Sequence, residues 1–195
     1  MNEILFVSGN SGKIQTFQQV FNNTKINIRI KNEIVEEIQS DDIKEIAINK
    51  AKKLYLKYKC PIIVNDSELK ISALNDFPGP YTKFVLKTIG CKGIIDLLKN
   101  DLNRECLFHQ IYIFVDDAGE YSIFEDNVYG KISKIYNLVN NVNSWGDFWN
   151  IFIPKNSKKC RAELSSEVYN NAIRPKAADR NALEDLKQFL MFKYL

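Results

Sequence analysis

The 195 residues include one histidine, two tryptophans, two methionines, five prolines and four widely separated cysteines. Cys60, Cys91, Cys106 and Cys160 form no Cys-x-x-Cys pair and read as reduced thiols of a cytosolic protein. The lone histidine, His109, falls inside a strand pattern and reads as structural. No uncharged apolar stretch approaches the roughly 18 residues that a membrane span needs, so no membrane partner is expected. Met1 leads straight into a strand pattern. The expectation is therefore a cytoplasmic protein without a signal or transit peptide. Excess charge is scarce too, with 27 basic against 24 acidic residues and a net charge of +3. The basic residues are not gathered into one block, which argues against nucleic acid as a partner. There is no internal repeat. What is present is a 45% apolar, 12% aromatic composition, which argues against disorder and suits one domain, 1–195, with a sizeable core.

Periodicity outlines the elements. Ile4 to Val7 reads as a buried strand, and Ile14, Phe17, Val20 and Phe21 recur at helical spacing. Ile26, Ile28 and Ile30 alternate with polar residues, as in a strand. Asp42 and Glu45 resemble a capping pair for a helix reaching about Lys59, where Pro61 ends it. Ile62 to Val64 is a second buried strand; Tyr81 to Ile89 and the stretch after Gly93 are short helices. Leu107 to Val115 and Tyr121 to Phe124 form a hairpin around 116–119, and Val128 to Ile135 predicts a third antiparallel strand. Asn137 to Ser144 reads as a surface loop, Ile151 to Pro154 as a short strand and Asn181 to Leu195 as a closing helix. The expected fold is α/β, an elongated mixed β-sheet in two lobes flanked by helices, with a substrate groove between the lobes.

Two strand ends carry the chemistry. Ile4 to Val7 runs into Ser8-Gly9-Asn10-Ser11-Gly12-Lys13, a polar glycine turn before a helix. Ile62 to Val64 runs into Asn65-Asp66-Ser67, and the chain breaks at Pro78-Gly79-Pro80, which predicts a carboxylate where a buried strand surfaces. Ligands of open α/β sheets sit at such carboxyl ends, so an acid and a lysine turn together suggest a phosphate with its metal. Ser8-Gly9-Asn10-x-x-Lys13, Glu37-x-Gln39, Ala47-x-x-Lys50-Ala51, Asn65-Asp66-Ser67-x-Leu69 and Phe77-Pro78-Gly79-Pro80-Tyr81 follow one another in a fixed order. Each alone has a duller explanation, as a turn, a cap or a solvated lysine. Together they resemble the inosine triphosphate pyrophosphatase family, whose members hydrolyse non-canonical purine nucleoside triphosphates to monophosphate and pyrophosphate. Gly130-Lys131-Ile132, Ala162-Glu163-Leu164 and Ala182-Leu183 extend the likeness along the chain.

The resemblance implies an Mg²⁺-dependent enzyme of nucleotide-pool sanitation, acting on ITP, dITP or XTP and working as a homodimer. Glu37 and Asp66 would hold Mg²⁺, which takes carboxylate, phosphate and water oxygens. Asp66 would act as general base or orient the attacking water. Ser8, Gly9 and Asn10 would cradle phosphate at a helix start. Lys13, Lys50 and Lys83 would neutralise the leaving pyrophosphate, with Lys13 and Lys50 counted as catalytic and Ser67 as a further substrate contact. Phe148 and Trp149 offer faces for a purine. The carboxy-terminal third departs from the family pattern: Asn150 stands for an aspartate, Asn170 for a lysine, Pro175 for a histidine and Lys176 for an arginine. The register there leaves Arg174 and Arg180 as alternative cations, and Asn65 replaces what is often a second acid. A reduced or shifted base preference is expected, because discrimination between close analogues depends on buried hydrogen bonds. Two other readings remain at this stage: a nucleotide-binding protein without turnover, and a related pyrophosphatase acting on modified pyrimidines.

Overall fold

In the computed structural model, which describes residues 3–139 and 146–195, the elements run in the order β1 (Ile4–Ser8), α1 (Ser11–Phe21), β2 (Ile28–Asn32), α2 (Ile43–Tyr58), β3 (Ile62–Ile71), β4 (Pro78–Gly79), α3 (Thr82–Thr88), α4 (Gly90–Leu97), β5 (Glu105–Val115), β6 (Tyr121–Ile132), β7 (Phe152–Pro154), α5 (Ser166–Val168), α6 (Arg174–Ala177) and α7 (Ala182–Tyr194). A π-helical turn, Tyr169–Ile173, separates α5 from α6. Among the described residues the strands form one seven-stranded sheet in the order β2-β1-β3-β5-β6-β7, with β4 on the far part of β3. The sheet is mixed: β1 pairs in parallel with β2 and β3, while β3–β4 and β6–β7 are antiparallel. The expected α/β class and helix-flanked mixed sheet are what the chain forms.

The chain divides into two compact units, residues 1–66, 110–125 and 181–195 in the first, and 67–109 with 126–180 in the second. In the first unit every residue of β1 is buried, because helices cover both faces of a mostly parallel sheet. Ile4, Phe6 and Ile63 pack with Phe17 and Phe21 of α1 and with Leu183, Leu186 and Leu190 of α7. Phe6, Phe17 and Phe21 stack in series, with successive ring centroids 3.9 and 4.4 Å apart. Leu5, Val7, Ile62 and Val64 point the other way, onto Ile43, Ala47, Ala51 and Leu54 of α2. Strand alternation thus assigns each apolar residue to one of two layers.

The second unit has a core built on Leu69, Ile71, Ile94, Val128, Phe148 and Phe152. Gly130 lies opposite Pro154 in the β6–β7 ladder. A Cβ there would sit 2.4 Å from the Ile153 carbonyl oxygen, so only glycine allows this approach. Arg104 is buried, and its guanidinium donates to the carbonyls of Leu98, Ile132 and Ser133 at 2.7–2.8 Å.

Three sequence expectations change. The second central strand does not stop at Val64 but continues to Ile71, so Asp66 lies within β3 instead of at its tip. Pairing of Leu69 with Gly79 and Lys70 with Pro78 gives the backbone partners that carry it on. The expected strands 121–124 and 128–135 are one strand, β6. The polar stretch between them is no break, because Asp126 is buried on Arg174 and Asn127 is held by Asp179. Gly93 lies inside α4 rather than before a helix. Residues 137–139 are irregular as expected, and the rest of the predicted Asn137–Ser144 loop, 140–144, lies outside the described residues. No described helix is long and apolar enough to cross a membrane.

Candidate active site

In the first unit, the turn after β1 is ordered by its own side chains. Ser8 Oγ accepts from the Asn10 N–H at 3.2 Å, and Asn10 Oδ1 accepts from the Lys13 N–H at 3.0 Å, capping α1. The N-terminus of this eleven-residue helix therefore opens on the turn that the sequence marks for phosphate. A Cβ on Gly9 would lie 2.8 Å from Ile34 Cγ1 and 3.3 Å from the Glu33 carbonyl oxygen. Glycine lets the segment leaving β2 pack directly on the turn. From α1, Lys13 Nζ donates to the Asn65 carbonyl at 3.3 Å. Val7 is level with Val64 across the parallel pair, which brings the ends of the two motifs to the same height.

Lys50 organises the acids. Asp42 caps α2 by accepting from the Lys44 N–H, and eight residues on Lys50 is 8% exposed. Its Nζ donates to Glu37 Oε1 and to Asp66 Oδ1, each at 2.8 Å. Burial of the ammonium works to lower its pKa, but the carboxylates of Asp66 and Glu37 outweigh it and the net shift is upward. Lys50 is therefore a fixed cation. Among the described residues, the buried Asp66 Oδ2 has no hydrogen-bond partner, and neither has Asn65 Oδ1. The Asn65 amide is spent structurally, donating to the Ile111 carbonyl at 3.0 Å.

This donor set fits a hard divalent cation. Glu37 and Asp66 each give one oxygen to Lys50, and Asp66 keeps a second, buried and unmatched, that needs a cation, a proton or water. Among the described residues no group of three His, Cys, Asp or Glu could enclose a metal alone. Phosphate and water oxygens would have to complete its shell, the usual situation for Mg²⁺.

The second unit holds the other candidates. Ser67 is half-buried on β3 and Lys83 is exposed on α3. Phe148 is 2% exposed within the apolar core, so it presents no free face to a purine and is a core residue. Trp149 is half-buried, and the Arg161 guanidinium sits 4.1 Å from its ring centroid and 3.9 Å from that of Tyr169. Asn150 is buried; its Oδ1 accepts from the Val139 N–H at 3.1 Å and its carbonyl from the Asn137 N–H at 3.3 Å, the work of a loop clamp. Asn170 and Lys176 are exposed, on the π-helical turn and α6. Of the alternative cations, Arg174 is bound to Asp126 Oδ2 at 2.6 Å, whereas Arg180 is exposed.

The Ham1 family model matches residues 4–189, almost the whole chain. The chain belongs to the Ham1 family. A dITP/XTP pyrophosphatase of Saccharolobus solfataricus is 37% identical over 165 residues, covering 84% of this chain and 83% of that protein. One of Hyperthermus butylicus is 30% identical over 190 residues and covers 95% of each chain. The fold matches the structure of a HAM1 protein from Coxiella burnetii with a TM-score of 0.81, at 22% identity and covering 98% of this chain and all of that one.

Two features of this Ham1 chain escaped the sequence reading. Arg161 is 5% exposed, donates to the Leu164 carbonyl at 3.1 Å and keeps a buried Nε with no partner among the described residues. Burial of the guanidinium lowers its pKa. The adjacent Ala162-Glu163-Leu164 was legible as a motif, but nothing in the spacing of Trp149, Arg161 and Tyr169 marks them as one stack. The second is Glu68, 1% exposed, whose Oε1 lies 3.0 Å from His109 Nδ1 and 3.2 Å from Lys70 Nζ. It supplies the structural setting expected for His109.

Proposed function

We propose that this protein hydrolyses non-canonical purine nucleoside triphosphates such as dITP and XTP to the monophosphate and pyrophosphate. The names of the Saccharolobus and Hyperthermus relatives support the reaction class. The observation that carries the proposal is the Lys50 ammonium 2.8 Å from both Glu37 and Asp66, with Lys13 reaching the residue before Asp66. In this reading a water oxygen bonds to the α-phosphorus, the bond to the β-phosphate oxygen breaks, and pyrophosphate leaves. Asp66, held by Lys50 through Oδ1, orients the water and serves as its general base. Lys13 and Lys50 offset the charge that builds on the leaving group. Because the carboxylates hold Lys50 protonated, it serves as a cation and not as the base. Mg²⁺ bound by Glu37 and Asp66 would polarise the phosphate oxygens.

The altered carboxy-terminal positions extend the proposal to a broadened base preference, since Asn150 and Arg174 are engaged within the protein. A cytoplasmic homodimer completes it. Pyrophosphate release from dITP, XTP and the canonical triphosphates, with and without Mg²⁺, is the test. Release from dITP or XTP that requires the metal is the expected result. Release of orthophosphate alone, or turnover unaffected by chelation, would overturn it.

A further inference from the structure

The segment 33–42 has no regular secondary structure, yet it carries Glu37 to its place. It runs beside α2 and is tied to it at three levels. Lys57 Nζ donates to Glu33 Oε1 at 2.6 Å, Lys53 Nζ lies 3.6 Å from Glu36 Oε2, and Lys50 Nζ donates to Glu37 Oε1 at 2.8 Å. The three lysines are spaced i, i+3, i+7 and so share one helix face. The acids follow in reverse order, so segment and helix are antiparallel.

The first rung differs from the second. Lys53 and Glu36 are both exposed, with side-chain exposures of 54% and 91%, and such pairs contribute little. Glu33 is only 21% exposed and also accepts a hydrogen bond from the Tyr58 hydroxyl. Hydrogen bonds from Lys57 and Tyr58 hold its carboxyl below the usual range. The Glu33 N–H donates to the Ser8 carbonyl at 3.3 Å, and Gly9 packs on the backbone of residues 33 and 34. One residue thus touches both the turn after β1 and the helix that bears Lys50.

We infer that Glu33, anchored by Lys57 and Tyr58, is the positioning residue that sets Glu37 against Lys50 and beside Asp66. The inference rests on the proposed reading of Glu37 as a metal ligand. Glu33 touches neither metal nor substrate; it removes the freedom of the four residues that lead to Glu37, an ordering that would otherwise oppose cation binding.

Mn²⁺ titration of the metal-free protein, followed by electron paramagnetic resonance, tests it independently of turnover. Glu33→Gln should weaken Mn²⁺ binding about 10-fold, the scale of an outer-shell loss. Tyr58→Phe should weaken it less, and the exchanged pair Glu33→Lys with Lys57→Glu should restore part of the affinity. Amide hydrogen exchange should quicken at residues 34–39 in Glu33→Gln while the interior of α2 stays protected. That pattern separates a loosened segment from an unfolded protein. Unchanged Mn²⁺ affinity in Glu33→Gln, with Glu37→Gln strongly weakened, would overturn the inference alone. Unchanged affinity in both would remove the ligand reading of Glu37 and the inference with it.

Discussion

The two units use their buried cations in opposite ways. In the first, Lys50 sits on carboxylates, and lysines 53 and 57 continue the pattern along α2. In the second, Arg104 is satisfied by three backbone carbonyls and Arg161 lies against two aromatic rings. A lysine on two carboxylates leaves Asp66 Oδ2 unmatched, which suits the metal and polyphosphate of the proposed reaction. A guanidinium spent on carbonyls and rings leaves no anion behind; it holds backbone and aromatic surfaces in place. The contrast agrees with the proposed reading, in which the first set reacts and the second holds shape.

The largest effect expected from this contrast is at Asp66. On the proposed reading, Asp66→Asn should cut pyrophosphate release at least about 100-fold, because the amide is no base and a poorer metal ligand. Near-normal turnover would break the assignment. Next comes Lys50→Met, which leaves Glu37 and Asp66 without their common cation. It should cost about 2–3 kcal/mol in denaturant unfolding, less than a fully buried pair because Glu37 is 46% exposed. The pH dependence has a definite sign. The folded pKa of Lys50 is raised, so its contribution is complete below pH 10.5 and is lost as pH rises through the folded value. The gap between wild type and Lys50→Met should narrow only in that alkaline range.

In the second unit, Arg161→Met should cost about 1–2 kcal/mol through the lost ring contacts. If Trp149 meets the base, the ratio of kcat/KM for dITP over dATP should also move, on the order of 10-fold. A stability loss with an unchanged ratio would confine the stack to structure. The smallest effect is expected at Asp116, where the Lys193 ammonium and the Ala118 and Glu120 N–H groups hold the carboxyl below 3.8. Asp116→Asn should cost at most about 1 kcal/mol near neutral pH. That difference should fade as acid titrates the wild-type carboxylate through its lowered value, in a thermal-melt series.

Legibility from sequence follows the same division. Lys13, Glu37, Lys50 and Asp66 stand in short motifs next to strands and helices whose apolar period is plain, so their meeting could be anticipated. Asp66 lies inside the strand although the apolar pattern fades after Val64, since β3 runs on to Ile71 and pairs with β4 at Leu69 and Lys70. The second unit hides its logic. Phe148 looks like a stacking ring until its burial is known, and Asn150 like a base reader until its bonds to 137 and 139 are seen. Arg161 meets Trp149 across twelve positions and Tyr169 across eight, separations that no local period encodes. The polar stretch in β6 looks like a loop because its partners, Arg174 and Asp179, lie some fifty residues away.

Lys50 gives the protein a resident counter-ion. Two acids that would repel each other in an empty pocket are already reconciled by a side chain that no chelator can remove, so the scaffold does not wait for a metal in order to fold. Zinc fingers behave in the opposite way, since the ion that completes the site also makes the fold. On the proposed reading, metal and architecture are uncoupled here, and chelation should silence the chemistry while leaving the fold standing.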